Sequence, residues 1–97
     1  MEMTHPVDVI CACMADGEIT PLRLRREDDT RQLQRIGIEE IISRRSIQHV
    51  GVEAQVFVCR GQFNGKNWFF ELKYSLRTHS WCLLRRIFAG SHPAYRA

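Results

Sequence analysis

Apolar and polar residues alternate at period two over most of this chain, and the alternation cuts it into short extended segments. In "VDVICACM", Val7, Val9, Cys11 and Cys13 fall on one side and Ile10, Ala12 and Met14 on the other. That predicts a short strand, apolar on both faces. The "ADG" at 15–17 supplies the positive φ of a tight hairpin turn. The chain returns as "EITPLRLRRE", where Leu22 and Leu24 alternate with Arg23 and Arg25 as in a half-buried strand. Pro21 lacks an amide donor and suits an edge or a bulge.

The segment "EDDT" at 27–30 reads as the next turn. After it, "RQLQRIGIEEIISRRS" supports two readings. Leu33, Ile36, Ile38, Ile41 and Ile42 fit helical spacing, with Glu39 and Glu40 early and Arg44 and Arg45 late to suit a helix dipole. Gln34, Ile36 and Ile38 also form one face of a strand, and Gly37 weakens any helix through it. The expectation is a strand over 31–37, then a helical turn or continued strand to about Arg45, with "QHVGVE" a loop. The last third reads as three antiparallel strands, "AQVFVCR", "NWFFELKYS" and "SWCLLRRIF". Asn64-Gly65 marks the first of their hairpins. The fold class expected is mainly β: a small five- or six-stranded antiparallel barrel or rolled sheet, with a short helix or helical turn near 38–46 as the open alternative. A single domain over 1–88 is followed by a tail, 89–97, expected to fray.

Length and charge narrow this picture. Ninety-seven residues make one small domain, which buries roughly 60–65% of its unfolded surface. Hydrophobic residues at 44% and charged residues at 26% are globular values and argue against disorder. Twelve of the fourteen basic residues are Arg, and only Lys66 and Lys73 are Lys. Arg forks match phosphate and carboxylate bidentately; codon bias in a genome rich in G and C gives the same excess. Asp8 interrupts the first apolar run and no basic residue precedes it, so no export signal is read. No stretch has the length of a membrane span. The expected location is the cytoplasm, with Cys11, Cys13, Cys59 and Cys82 reduced.

The segments "VDVICACM", "GEITPLRLRRED", "VFVCRG" and "FFELKYSLRTHSWCLLRRI" together resemble a group of short bacterial proteins, mainly from Gram-positive species. The similarity spans most of residues 7–88, and its most specific part is the "FELKYS" to "SWCLL" hairpin. The resemblance implies a stand-alone small β-domain of unknown function. It implies no activity and no catalytic residue.

The residues with chemistry give no enzyme. Cys11 and Cys13 are spaced C-x-C within a strand, whereas zinc pairs are usually C-x(2–4)-C on a turn. The four thiols are read as small hydrophobes rather than metal ligands. His5, His49, His79 and His92 are scattered, with His5 and His92 placed near frayed ends, and His79 with Cys82 reads as a chance neighbour pair in a hairpin. Glu27, Asp28 and Asp29 read as a solvated turn. No catalytic, metal or cofactor residue is assigned. On strand 67–74, Trp68, Phe70, Leu72 and Tyr74 are expected to build the core, leaving Phe69, Glu71 and Lys73 on the other face. The expected function is a non-enzymatic protein-interaction or self-associating module, with an unknown protein partner or a homodimer and no membrane. The alternative is a nucleic-acid-binding barrel with Arg23, Arg25, Arg85 and Arg86 on phosphates and Phe69 and Lys73 beside them.

Overall fold

The computed structural model describes residues 5–49 and 51–87. Seven strands form one antiparallel sheet that curls strongly into a half-barrel. They are β1 (His5–Pro6), β2 (Asp8–Cys13), β3 (Ile19–Glu27), β4 (Leu33–His49), β5 (Val52–Phe63), β6 (Lys66–Ser75) and β7 (Ser80–Ile87). The sheet order is β1-β7-β6-β5-β4-β3-β2, a meander from β2 to β7. β1 and β2 are one stretch of chain broken only at Val7. Its start pairs with β7, Pro6 opposite Cys82, and the Val7 amide donates to the Trp81 carbonyl at 3.2 Å. Its remainder runs along β3. The N-terminal segment therefore touches both ends of the strand order. The tail 89–97 and His92 lie outside the described residues.

Turn chemistry places the hairpins. Gly17 has φ 90°, and Asn64 and Gly65 have φ 54° and 75°, the paired positive values of a two-residue hairpin turn. Gly51, φ 76°, makes the β4–β5 connection tighter than the "QHVGVE" loop expected: Gln48 and His49 still belong to β4, and Val52 begins β5. His5 is a strand residue opposite Leu83.

The concave face holds the core: Leu24, Ile36, Phe57, Cys59, Phe70, Leu72 and Leu83, with Val7, Val9, Ile38, Trp68, Tyr74 and Trp81 packed against it. Full burial of a residue such as Phe57 or Phe70 contributes about 1.5–3 kcal/mol. β5 stands at the centre of the sheet order and is buried on both faces, since Ala54, Val56 and Val58 are also inaccessible. On that convex side the register sets Val56 between Arg45 and Lys73, and Val58 between Ser43 and Glu71. Glu71 is itself 7% exposed, so the second face of this hairpin is only partly solvated.

Bulges in β4, β3 and β7 break the period-two alternation. Segment 38–46 is strand throughout, with no helical turn. Glu39 and Ile42 are extra residues there, because Ile38 pairs with Gly61 but Glu40 with Arg60, and Ile41 with Cys59 but Ser43 with Val58. The Glu39 insertion shifts the alternation by one, so Ile38 and Ile41 both reach the core at a spacing that imitates a helix. On β3, Ile10 pairs with Arg23 but Cys11 with Pro21. Leu22 is the extra residue and is exposed, while Pro21 and Leu24 are buried, so Leu22 and Leu24 do not share a face. On β7, Glu71 pairs with Arg85 but Leu72 with Leu83. The inserted Leu84 separates Leu83, which faces the core, from Arg85 and Ile87 on the convex side.

Candidate functional site

The four arginines nominated from the sequence do not share one surface. Arg25 lies directly opposite Asp8, and its Nη2 and Nε both donate to Asp8 Oδ2, at 2.5 and 3.2 Å. Arg23, two residues earlier on the same convex face, has no side-chain partner among the described residues and stands across from Ile10 and Gly37. Three strands separate β3 from β7 in the sheet order. On β7, Arg85 Nε donates to Glu71 Oε1 at 3.1 Å. Arg86 pairs across from Phe70 and is turned to the other face, its guanidinium 3.7 Å from the centre of the Trp68 ring. That is a cation–π stack. Phe69 is half-buried between Arg60 and Ile87 in the register, and Lys73 is half-buried between Val56 and Cys82.

The sequence reading missed the arginines with the most partners. Arg60 donates to Glu39 at 2.9 Å and to Glu40 at 3.1 Å, and Nη1 also reaches Asn67. Neighbouring strand residues ordinarily point to opposite faces; the bulge at Glu39 brings both carboxylates to one guanidinium. Those bonds, Glu40 first and Glu39 second, hold the Arg60 proton more firmly than usual. Arg44 donates to the Ile19 carbonyl at 3.1 Å, lies 3.4 Å from Glu18 and covers the Phe57 ring at 5.4 Å. No short motif announces either cluster, because each depends on pairing between distant strands.

The thiols do not converge. Cys59 is buried in the core, and burial pushes its pKa up to about 12, with the Arg44 charge opposing slightly. Cys82 is half-buried on the convex side opposite Lys73. Cys11 and Cys13 are exposed on β2. Among the described residues no three His, Cys, Asp or Glu side chains are placed to share a metal ion. His79 Nδ1 is 2.9 Å from the Tyr74 hydroxyl, so that ring nitrogen is engaged within the hairpin. Asp28 closes its own turn: Oδ1 accepts from the Thr30 hydroxyl at 2.7 Å and from the amides of Thr30 and Gln32. These bonds, the Thr30 hydroxyl first, hold its carboxyl below the ordinary range.

The most exposed apolar surface is at the open edge of the sheet. Ile10 is 59% and Met14 53% exposed, and Cys11 and Cys13 beside them are also exposed. Bonds at both ends set the direction of the backbone groups along β2. The Val7 amide points away from β3, to Trp81, while the Met14 amide points toward β3, to the Glu18 carbonyl at 2.8 Å. Alternation then turns the N–H and C=O groups of Val9, Cys11 and Cys13 outward. Beyond Val7, no described strand pairs with that edge.

Comparison of the chain with protein-family models, with curated proteins and with solved structures found no match.

Proposed function

We propose that this domain is a self-associating β-module whose β2 edge pairs with β2 of a second copy. The observation that carries the reading is the edge itself: outward-facing backbone groups at Val9, Cys11 and Cys13, with no charged residue between Val9 and Ala15. Soluble proteins ordinarily guard such edges with Lys, Pro, a bulge or a covering segment. Here, among the described residues, the bulge at this end lies in β3 rather than β2, and the segment 9–15 carries no charge. Its sequence is also self-complementary. An antiparallel pair centred on Ala12 sets Cys11 against Cys13 of the second copy, both with outward N–H and C=O, and sets Ile10 against Met14. The second pairing covers the two most exposed large apolar side chains among the described residues.

The alternative, strand binding by Arg23, Arg25, Arg85 and Arg86, has less support. Arg25 and Arg85 are neutralised by Asp8 and Glu71, and Arg86 is stacked on Trp68.

Light scattering after size exclusion, in reducing buffer across micromolar concentrations, tests the reading. A dimer is expected for the wild type. Cys11→Pro removes an outward amide and no ladder bond to β3, so it is expected to give a folded monomer by circular dichroism. A wild-type monomer throughout that range ends the proposal.

A further inference from the structure

Beside the β2 edge, on the convex face, the β3–β4 register does something unfavourable. It sets Arg25 directly opposite Arg35, with Arg23 two residues away on the same face. Like charges directly opposite in a sheet destabilise it. One carboxylate, Asp8, answers three guanidinium groups, and it is committed to Arg25. Arg23 and Arg35 have no side-chain partner among the described residues. The three arginines line a single cleft of about 260 Å³, with Asp8 and Ile10 in its wall.

The β3 bulge builds this arrangement. With Leu22 inserted, Arg23 stays on the convex face while both Pro21 and Leu24 are buried. Bulges are a common means of re-aiming a side chain beside a binding site. Across the ladder from Arg23 stands Gly37, where a β-carbon would meet nothing within 4 Å, so the approach to Arg23 is open.

We propose that this cleft binds a phosphate group, held by Arg23 and Arg35, with Arg25 fixed between them by Asp8. Three guanidinium groups and one carboxylate leave the site two charges positive, which matches a phosphate monoester dianion. A carboxylate offers two oxygens and is satisfied by one fork; the three terminal oxygens of a phosphate suit forks arriving from two strands. Ile10, 59% exposed, supplies the apolar wall that an organic substituent would touch. Ile10 is common to the cleft and to the proposed edge pairing, whereas Arg23 and Arg35 lie on β3 and β4, inward of the paired edge.

The test is a ¹⁵N NMR titration of the whole chain with inorganic phosphate, against sodium chloride at equal ionic strength. Phosphate is expected to shift the side-chain Nε–H signals of Arg23 and Arg35 saturably, and chloride is not. Arg23→Gln or Arg35→Gln is expected to weaken phosphate binding about tenfold, the loss of one charge-assisted contact. Lys66→Gln, at the distant β5–β6 turn, is expected to leave it unchanged. Arg35→Lys keeps the charge and loses the fork, and is expected to bind phosphate more weakly than wild type. Phosphoserine and an oligothymidylate without terminal phosphate identify the source. Tighter binding of phosphoserine at these arginines assigns a small phosphate ester; binding of the oligomer there, growing with its length, assigns a nucleic-acid backbone. Shifts equal in phosphate and chloride, or unaffected by Arg23→Gln and Arg35→Gln, overturn the site as an adventitious ion only.

Discussion

Gly61 lies hard against the backbone of Gly37: a β-carbon at Gly61 would stand 2.4 Å from the Gly37 carbonyl oxygen and 2.9 Å from Ile36 Cγ2. Backbone cannot yield as a flexible side chain does. Gly61→Ala should therefore destabilise the domain by about 1–3 kcal/mol, as overpacking does. Gly37→Ala meets open space and should be neutral or stabilising by up to about 1 kcal/mol. Urea midpoints of the two variants measure the contrast. Equal effects would remove the close approach as a determinant of the curl.

Burial of Cys59 makes stability depend on alkaline pH. Its folded pKa is about 12 against an ordinary 9.0, so the unfolded chain loses this proton first. The contribution is complete below pH 9 and declines as pH rises toward 12, by about 1.4 kcal/mol per unit. Urea unfolding across that window should show this slope in the wild type and lack it in Cys59→Ala. With a thiol reagent near neutral pH, Cys11 and Cys13 should react first and Cys59 only on unfolding.

Asp28 should titrate below its ordinary value of 3.8. The turn it closes is favoured above that pH and loosens as pH falls through the lowered value. Thr30→Val removes the leading cause, the hydroxyl bond, and leaves both backbone donors. The carboxyl midpoint followed by ¹³C NMR should rise in that variant, and an unmoved midpoint would show that the amides alone depress it.

Glu71 is nearly buried and takes Arg85 at 3.1 Å and Arg45 at 3.7 Å. Both arginine side chains are more than half exposed, which weakens each pair. Glu71→Ala should cost about 1–3 kcal/mol, since it removes the common acceptor. A double-mutant cycle should give a larger coupling for Glu71 with Arg85 than with Arg45. The reverse order would contradict the distances.

The sequence reading located β2, β3 and the last three strands because their alternation is regular and their turns carry Asp-Gly and Asn-Gly. Trp68, Phe70, Leu72 and Tyr74 do lie against the core, as alternation required. The failures share one physical origin. A bulge adds a residue without interrupting the strand, and period-two reading cannot tell it from a change of structure. Glu39 and Ile42 gave β4 a helical reading beside the strand one, Leu22 was given the wrong face, and Leu84 parts Leu83 from Arg85, which plain alternation sets on one face. The candidate sites were less legible still. Arg23 and Arg25 were singled out, but Arg35, which completes their cleft, comes from the neighbouring strand and was not.

The N-terminal segment has a further consequence, for the order of assembly. Strands β2 to β7 pair with their sequence neighbours, so those contacts close short loops and form early. Among the described residues, the backbone pairing across to β7 comes from His5, Pro6 and Val7, more than seventy residues away along the chain. That seam closes the longest loop with the fewest bonds, so it forms last and opens first. On the ribosome, β1 emerges long before β7 and must wait for it to pair.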